Sequence, residues 1–438
     1  MLNIKNKRVT IIGAKKSGIA LARLVSGLGG KPKISEGRSI IELGSELEEL
    51  QGLQALEYFH FELGGNSREF IEDSDIVVLS PGVRFDADVV RFAMEKGICV
   101  LGEIEFAAQF CNKPIIAVTG SNGKTTVVTL ITKVIEAAGM KACLCGNVGS
   151  PFSEHVLHLD DIDYVVLEVS SFQMESLIPA SSSFRDENVI SDISVKGFKP
   201  FISVILNFSQ NHLDRHKDLY EYFNAKTRVC LNQDRHDHAV INFQDHMLAK
   251  FALKLDANLI YFNKEDDKGK NPNHLAVKAV AKILGIDMEV CNGVFGKFGG
   301  VEHRMEKVRD IDGVDYINDS KATTVESGRW ALNILNRPVV MICGGKDKGS
   351  DYTVLKDLVS KKVKKMIVIG AARDLINNAF SGSVDIELIE KLEDAVLRSR
   401  EIAKSGDCVL LSPMCASFDQ FDNFEHRGKV FKELVNKL

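Results

Sequence analysis

The sequence predicts an α/β fold in which parallel β-sheets are covered by helices. Short runs rich in β-branched residues recur along the chain, and each is closed by Gly, Ser or Asn and followed by a stretch with helical pattern. One of these runs leads into a glycine-rich turn and then a long apolar helical segment. Because ligands of parallel sheets bind outside the carboxyl ends of the strands, residues directly after each run are the candidate functional positions.

Eight β-branched runs predict strands, and the apolar segment 127–138 predicts a helix. The strands are Val9–Ile12, Ile76–Leu79, Ile115–Val118, Val165–Val169, Val204–Leu206, Val339–Ile342, Met366–Ile369 and Val409–Leu411.

Length and composition narrow the class of protein. The chain has 438 residues, which at about 150 residues per domain predicts roughly three domains. Charged residues make up 26% and apolar residues 45% of it, and the net charge is -5. A balance of this kind favours neither nucleic acid nor an anionic membrane as a partner. No apolar run approaches the roughly 18 residues of a spanning helix, so we expect no membrane insertion and a cytoplasmic protein.

Domain boundaries follow from composition and motif order. The segment Cys111–Pro114 precedes a strand and the glycine-rich turn, and a second glycine-rich stretch ends at Gly300. We therefore expect domains at 1–111, 112–298 and 299–438. The nine cysteines are scattered without a CxxC pair, which indicates reduced thiols.

The turn after the third predicted strand has the chemistry of a phosphate-binding loop. It reads Thr119-Gly-Ser-Asn-Gly-Lys-Thr-Thr126, a shortened form of the GxxxxGK[ST] pattern because Val118 stands at the position of the first glycine. Backbone N–H groups and a helix N-terminus would face the anion, Lys124 would reach the terminal phosphates, and the Thr125 hydroxyl could ligate Mg²⁺.

Further polar side chains follow other predicted strands. Glu168 closes its strand and is placed to hold Mg²⁺, although many strand-end carboxylates are ordinary caps. His212 and His216 lie four residues apart, which is compatible with a zinc pair but lacks an HExxH pattern. Lys226, taken by itself, reads as a solvated helix lysine.

Three cation-rich loops follow successive strands of the last block. They are Asn318–Thr323, Gly344–Gly349 and Ser412–Asp419. Their convergence at the end of a parallel sheet would form a site for an anionic ligand. At the N-terminus, a glycine turn follows the first strand and Glu36 lies where a dinucleotide fold places its ribose acid, but Lys15 replaces the middle glycine. A phosphate-bearing ligand other than NAD is favoured there.

Taken together, these motifs resemble the Mur ligase family of ATP-dependent amino-acid-adding enzymes, and within it the D-glutamate-adding branch. The resemblance spans essentially the whole chain and is carried by Gly120–Thr126, Glu168–Gln173, His212–His216, Asn318–Thr323, Gly344–Gly349 and Ser412–Phe424. It implies a Rossmann-like N-terminal domain, a central P-loop ATPase-type parallel sheet and a Rossmann-like C-terminal domain.

The resemblance also implies the reaction. ATP would phosphorylate the L-alanine carboxylate of UDP-N-acetylmuramoyl-L-alanine, and the amine of D-glutamate would attack the acyl phosphate, giving an amide, ADP and phosphate. The resemblance thus implies an ATP-dependent acid–amino-acid ligase of cytoplasmic peptidoglycan precursor synthesis that uses two Mg²⁺ ions, and we expect it to work as a monomer.

Site residues are implied position by position. ATP would be bound by Gly120, Ser121, Asn122, Gly123, Lys124, Thr125, Thr126, Asn271, Arg304, Asp319 and Lys321. The catalytic set would be Lys124, Glu168, His212 and Lys226, and the metal ligands Thr125, Glu168, His212 and a carbamate on Lys226. The UDP-sugar would meet Ser17, Glu36, Arg38 and Asn147, and D-glutamate would meet Thr323, Lys348, Ser417, Phe418 and Phe424.

Some positions depart from the family pattern, and other functions stay open. Asn211 and Thr324 stand where Asp and Asn are usual, and Glu36-Gly37-Arg38 matches the uracil pocket only loosely. The alternatives are a relative that adds a diamino acid, a folylpolyglutamate synthase, a non-catalytic nucleotide-binding switch and an NAD oxidoreductase.

Overall fold

The structure of the protein, a computed structural model, describes residues 2–43, 46–56, 58–179, 195–209, 215–347 and 349–438. The chain divides into two compact units, Met1–Lys297 and Phe298–Leu438. None of the helices in the described ranges is both long enough and apolar enough to cross a membrane.

The first unit begins with a five-stranded parallel sheet. Its strands are β1 (Arg8–Ile12), β2 (Lys31–Glu36), β3 (His60–Leu63), β4 (Ile76–Leu79) and β5 (Cys99–Gly102). Its helices are α1 (Lys16–Gly27), α2 (Glu46–Gly52), α3 (Arg68–Glu72), α4 (Asp88–Glu95) and α5 (Glu103–Ala108). The strand order β3-β2-β1-β4-β5 is that of a doubly wound sheet, so the Rossmann-like N-terminal prediction is confirmed.

A second, six-stranded sheet follows in the same unit. Its strands are β6 (Ile115–Thr119), β7 (Ala142–Gly146), β8 (Tyr164–Glu168), β9 (Ile202–Ile205), β10 (His238–Asn242) and β11 (Asn258–Phe262). Its helices are α6 (Lys124–Ala137), α7 (Phe152–His155), α8 (Ser171–Met174), α9 (Leu219–Thr227), α10 (His246–Ala252), α11 (Pro272–Ile283) and α12 (Met288–Lys297). The order is β11-β10-β9-β6-β8-β7 and every pairing is parallel, with β6 in the interior and β7 at one edge.

The second unit holds the third sheet. Its strands are β12 (Glu306–Ile311), β13 (Val314–Asn318), β14 (Val339–Gly344), β15 (Val363–Ile369), β16 (Ile386–Leu388) and β17 (Cys408–Leu411). Its helices are α13 (Val325–Ile334), α14 (Lys356–Lys362), α15 (Arg373–Phe380), α16 (Leu392–Ile402) and α17 (Phe424–Lys437). The order is β12-β13-β17-β14-β15-β16, and only β12 runs antiparallel, paired with β13. The α/β fold class is therefore confirmed for the described chain.

Burial explains which segments the sequence pattern found. All five residues of β6 are buried, and α6 packs a stripe at helical spacing through Val127, Ile131 and Val134. All eight predicted strands form, although Val169 and Leu206 lie one residue beyond theirs. The sequence analysis missed strand β2 because its sequence, Lys-Pro-Lys-Ile-Ser-Glu, has no apolar run. Hydrogen bonding to β1 on one side and β3 on the other makes this segment a strand.

One buried apolar cluster joins the two sheets of the first unit. It includes Ile11 and Ile34 of the first sheet, Phe106 and Phe152 of connecting helices, and Val165 of the second sheet. The domain boundary near residue 112 falls inside this unit and stays a prediction. The third sheet is covered on its two faces by separate clusters.

Candidate functional site

The loop between β6 and α6 has the conformation that a phosphate cradle needs. Gly123 precedes α6 at a φ of +86°, and Gly120 has a φ of +152°. A Cβ on Gly120 would come within 2.9 Å of the Leu206 Cβ, so the close approach of the loop to the strand β9 requires glycine there. The backbone of this loop is therefore set by its glycines, as the sequence predicted.

The loop is held in place by Asn207, which the sequence analysis did not single out. Its Oδ1 accepts from the Asn122 N–H at 2.8 Å and its Nδ2 donates to the Asn122 carbonyl at 3.0 Å. The Asn207 carbonyl also accepts from the Ser121 N–H at 3.0 Å. The signal was present, since Asn207 directly follows a predicted strand, but only the pairing of β6 with β9 brings the two loops together.

Two lysines converge on one carbonyl of the loop. Lys124 Nζ donates to the Gly120 carbonyl at 2.8 Å and Lys226 Nζ donates to the same oxygen at 2.9 Å. Lys226 is only 2% exposed, and its pKa lies well below the usual range because burial disfavours its charge and the cationic Lys124 adds to that effect. The interpretation of Lys226 as a solvated helix residue is therefore wrong. The last turn of α9 lies against the phosphate loop, and this packing buries the lysine side chain.

Glu168 is a buried carboxylate at the end of β8. Its Oε1 accepts from Asn147 Nδ2 at 2.9 Å, whereas its Oε2 is buried with no hydrogen-bond partner among the described residues. The backbones are also tied, because the Asn147 N–H donates to the Glu168 carbonyl at 2.9 Å. A buried carboxylate oxygen without a donor is a fit ligand for a hard cation, so this observation agrees with a magnesium site.

Of the two histidines considered, His216 lies within the described chain and His212 does not. His216 is buried, with Nε2 3.1 Å from the Ser171 hydroxyl and its ring against Phe172 and Tyr222. Burial lowers its pKa, so the neutral ring is favoured. These contacts give it a packing role beside the phosphate loop. The predictions for Asn211, His212 and Lys348 fall outside the described residues.

At the end of the first sheet, Glu36 is a buried acceptor. Its Oε2 accepts from the Ala14 N–H at 2.8 Å, and Arg38 pairs with both carboxylate oxygens. Burial opposes its ionisation, but the bonds from Arg38 outweigh burial and lower the pKa of Glu36. Ser17 lies in the first turn of α1, beside the exposed Lys16. These residues are brought together at the turn after β1.

Asn271 lies at the N-terminus of a helix that borders the phosphate loop. It caps α11 by accepting from the Asn273 N–H at 2.9 Å. Asn273 in turn lies close to Gly123, since a Cβ there would come within 2.7 Å of the Asn273 Oδ1. The structure thus places Asn271 two residues before Asn273, which lies against the loop that Asn271 was predicted to serve.

In the second unit, Asp319 is a buried acid at the end of β13. Its Oδ1 accepts from the Met305 N–H at 3.2 Å and its Oδ2 from the Ser412 hydroxyl at 3.1 Å. Burial raises its pKa to about 7, and the positive charge of Arg304 only partly opposes that rise. Lys321 follows it, with Nζ 5.3 Å from the ring centroid of Phe424.

The loops at this sheet end are joined by Arg427, which the sequence analysis also missed. It is 1% exposed and donates to the Ser320 hydroxyl at 3.0 Å, the Ser320 carbonyl at 2.9 Å and the Cys415 carbonyl at 3.3 Å. The Ser320 hydroxyl donates in turn to the Phe424 carbonyl at 2.8 Å. One guanidinium therefore links the loop after β13, the loop after β17 and the start of α17. An arginine inside a polar helix gives no sign of this in the sequence.

Those three segments carry the residues predicted for the amino acid. Thr323 is half-buried after β13, Ser417 is buried after β17, and Phe424 begins α17. Phe418 is 67% exposed beside them. The structure thus brings the described members of this set, Thr323, Ser417, Phe418 and Phe424, to one end of the third sheet.

Comparisons with known proteins agree with the motifs. A family model described as the Mur ligase middle domain matches residues 118–298, and one described as the Mur ligase glutamate ligase domain matches residues 303–415. A protein of Koribacter versatilis named UDP-N-acetylmuramoylalanine--D-glutamate ligase is 36% identical, with 100% of this chain and 99% of the relative covered. A protein of the same name from Clostridioides difficile is 34% identical over the whole of both chains.

Solved structures support the fold. UDP-N-acetylmuramate-alanine ligase MurC from Thermotoga maritima has a TM-score of 0.57 at 16% identity, covering 98% of this chain and 99% of that chain. MurF ligase from Thermotoga maritima, solved in complex with ADP, has a TM-score of 0.56 at 15% identity, covering 84% and 91%. With two family models matching most of its length and relatives above 30% identity from end to end, the chain belongs to the Mur ligase family.

Proposed function

We propose that the protein is an ATP-dependent ligase that joins D-glutamate to UDP-N-acetylmuramoyl-L-alanine in peptidoglycan precursor synthesis. The observation that carries the proposal is the arrangement around the phosphate loop. Lys124 and Lys226 both donate to the Gly120 carbonyl after β6, and the neighbouring strand β8 ends in the buried Glu168. It occurs in a chain that is similar over its whole length to relatives named for that reaction.

The residue types suit the chemistry. A carboxylate is a poor electrophile, so an oxygen of the L-alanine carboxylate first attacks the γ-phosphorus of ATP and ADP leaves. The amine of D-glutamate then attacks the carbonyl carbon, and phosphate leaves as the amide forms. Negative charge accumulates in both steps, and fixed cations next to it lower the barriers. Lys124 and the helix N-terminus of α6 supply such a field at the loop.

We assign nucleotide binding to the loop and to residues from both units. The set is Gly120, Ser121, Asn122, Gly123, Lys124, Thr125, Thr126, Asn271, Arg304, Asp319 and Lys321. Support comes from the loop conformation, from the position of α11 beside Gly123, and from the buried acid Asp319.

Two Mg²⁺ ions are proposed, held by Thr125, Glu168, His212 and a carbamate on Lys226. The residues present fit such a group, because Glu168 offers a buried oxygen with no donor in the described chain and Thr125 offers a buried hydroxyl-bearing side chain at the start of α6. When bound, Mg²⁺ would neutralise phosphate charge. An ammonium is a poor neighbour for Mg²⁺, and carbamylation of Lys226 would replace it with an anionic oxygen ligand.

We assign the organic substrates to the ends of the first and third sheets. The UDP-sugar would contact Ser17, Glu36, Arg38 and Asn147, with Glu36 and Arg38 acting as one paired unit. D-Glutamate would contact Thr323, Lys348, Ser417, Phe418 and Phe424. Three domains, a monomeric state and a cytoplasmic location stay predictions.

The test is phosphate release from ATP and Mg²⁺, measured with and without UDP-N-acetylmuramoyl-L-alanine and with D-glutamate compared against L-glutamate and a diamino acid. Release that needs both the nucleotide sugar and D-glutamate is expected. Release with another amino acid would move the protein to a sibling activity, and tight ATP binding without release would support a nucleotide-binding switch. Lys124→Met should abolish release, whereas Lys133→Met, an exposed lysine of the same helix, should leave it unchanged.

A further inference from the structure

The side chain of Arg215 joins the two sheets of the first unit through hydrogen bonds. Its Nη1 donates to the Gly82 carbonyl at 3.1 Å and its Nη2 to the Val83 carbonyl at 3.0 Å, both in the turn of residues 80–83 that follows β4. On the other side, its Nε and Nη2 donate to the two carboxylate oxygens of Glu175 at 3.0 and 2.8 Å, at the end of α8. One guanidinium therefore holds a backbone turn of the first sheet and a carboxylate of the second.

The surroundings of Arg215 fix its guanidinium in this position. The side chain is 11% exposed and that of Glu175 is 18% exposed, so the ion pair is largely shielded from water. The guanidinium carbon also lies 4.5 Å from the ring centroid of Phe172, a residue of α8. The planar fork of an arginine donates to two carbonyls and a carboxylate at once, which the single ammonium of a lysine does not match.

The turn that Arg215 holds supports the end of the first sheet. It is closed by a hydrogen bond from the Val83 N–H to the Ser80 carbonyl at 2.9 Å. The Ser80 hydroxyl donates to the Gly13 carbonyl at 3.1 Å, in the turn after β1. The next residue, Ala14, donates its N–H to Glu36. The turn after β4 is thus part of the sheet end to which we assign the UDP-sugar.

The other side of the bridge belongs to the end of β8. Helix α8 begins at Ser171, three residues after Glu168, the carboxylate that we assign to Mg²⁺. The residue after Arg215, His216, has its Nε2 3.1 Å from the Ser171 hydroxyl at the start of this helix. Arg215 and His216 therefore hold both ends of α8, and the bridge links the sheet end proposed for the UDP-sugar to the segment that follows Glu168.

A cleft borders the bridge, which makes a variant of Arg215 suitable as a test. The cleft has a volume of about 290 Å³, and its lining includes Arg84, Glu221 and Arg228 as well as Arg215 and Glu175. Loss of the guanidinium would widen this polar cleft rather than leave an unfilled space in an apolar core, and water in the cleft can hydrate the freed carboxylate. We therefore expect the variant to fold.

We propose that Arg215 is a positioning residue for the nucleotide sugar, because it sets the spacing between the first-sheet end and the second-sheet end. The proposal rests on the proposed function, in which the sugar nucleotide contacts Ser17, Glu36 and Arg38 at one sheet and Asn147 at the other. A ligand held at both ends depends on their spacing, since the second contact forms within the complex at an effective concentration set by geometry. A shift of about 1 Å at the reacting centre can lower a rate about a hundredfold.

The first test compares the whole nucleotide sugar with UDP, a fragment that would reach the first sheet alone. Isothermal titration calorimetry measures the dissociation constants of both ligands for the wild-type protein and for Arg215→Met. We expect UDP-N-acetylmuramoyl-L-alanine to bind the variant at least about tenfold more weakly, with UDP changed by less than about twofold. Equal weakening of both ligands would show damage to the first sheet and overturn the positioning role, and unchanged binding of both would overturn it as well.

Two further variants control for the loss of charge. Arg91→Met removes an exposed arginine of α4 that pairs with Asp88, and it should leave both dissociation constants unchanged. Arg215→Lys keeps the positive charge without the fork, so it should recover little of the lost affinity for the nucleotide sugar. Full recovery with lysine would show that the charge alone matters and would contradict a role in fixing the turn.

Hydrogen exchange tests the bridge without any substrate. In Arg215→Met, peptides covering residues 80–86 and 171–176 should exchange at least about tenfold faster, whereas those of the second unit should keep their wild-type rates. Unchanged exchange in both segments would refute the bridge. Wild-type protein that binds neither ligand would refute the proposed function, and with it the role toward the sugar, whereas the exchange rates would still decide whether Arg215 holds the two segments.

Discussion

The variant Arg427→Met should bind D-glutamate poorly while the second unit keeps most of its stability. The guanidinium of Arg427 is buried and joins the loops after β13 and β17 through Ser320 and Cys415. A methionine fills similar space without any donor. The variant therefore distinguishes a role of this arginine in positioning the two loops from a role in stabilising the fold.

The change in stability follows from two opposing terms. Without the guanidinium, the Ser320 and Cys415 carbonyls have no other hydrogen bond in the described chain, which costs about 1–3 kcal/mol for each. The Ala416 carbonyl keeps the Lys346 N–H at 2.9 Å. Against this, burial lowers the pKa of Arg427 to about 10, and removing that buried charge returns about 3 kcal/mol. The net loss is expected between about -1 and 3 kcal/mol.

The effect on the proposed substrate should be larger than the effect on the fold. Freed loops no longer hold Thr323 and Ser417 in place, so the KM for D-glutamate should rise at least about tenfold with a smaller change in kcat. Initial rates of phosphate release and urea unfolding measure the two effects. Arg398→Met, which removes a half-exposed arginine paired with Glu387, should change stability by about 0.5 kcal/mol or less. An unchanged KM, or a stability loss above about 5 kcal/mol, would refute the positioning role.

Three other predictions concern the buried charges of the two sheet ends. Lys226→Ala should lower phosphate release at least about a hundredfold. High bicarbonate should not restore the activity of this variant, whereas a small added carboxylate should restore part of it. Near-normal phosphate release would contradict the carbamate. Glu168→Gln should raise the Mg²⁺ concentration for half-maximal release at least about tenfold, and an unchanged Mg²⁺ requirement would remove Glu168 from the metal site. Asp319 has a pKa raised to about 7, so its proton stabilises the folded state at low pH, and that stability is lost as the pH rises from about 4 to 7. In Asp319→Asn, the decrease in the free energy of urea unfolding between pH 4 and 7 should be smaller than in the unmodified protein by on the order of 4 kcal/mol. An equally large decrease in the variant would contradict the raised pKa of Asp319.

Several features of the site were predictable because each rests on local chemistry. The glycines of the phosphate loop, the strand-end Glu168 and the loops after β13 and β17 all stand directly after apolar runs, where parallel sheets present their ligands. Other features were not predictable. Asn207 holds the phosphate loop only because β9 pairs with β6, and Arg427 joins its own segment to Ser320, which lies 107 residues earlier in the chain.

What the sequence by itself determined is the α/β class, the order of the motifs and the family, because these depend on residue types at short spacing. What only the tertiary structure decided is the environment of single groups. Lys226 reads as a surface lysine until the packing of α9 buries it beside Lys124, with both side chains on the Gly120 carbonyl. Burial and the charge of spatial neighbours set protonation, and neither can be read from positions along the chain.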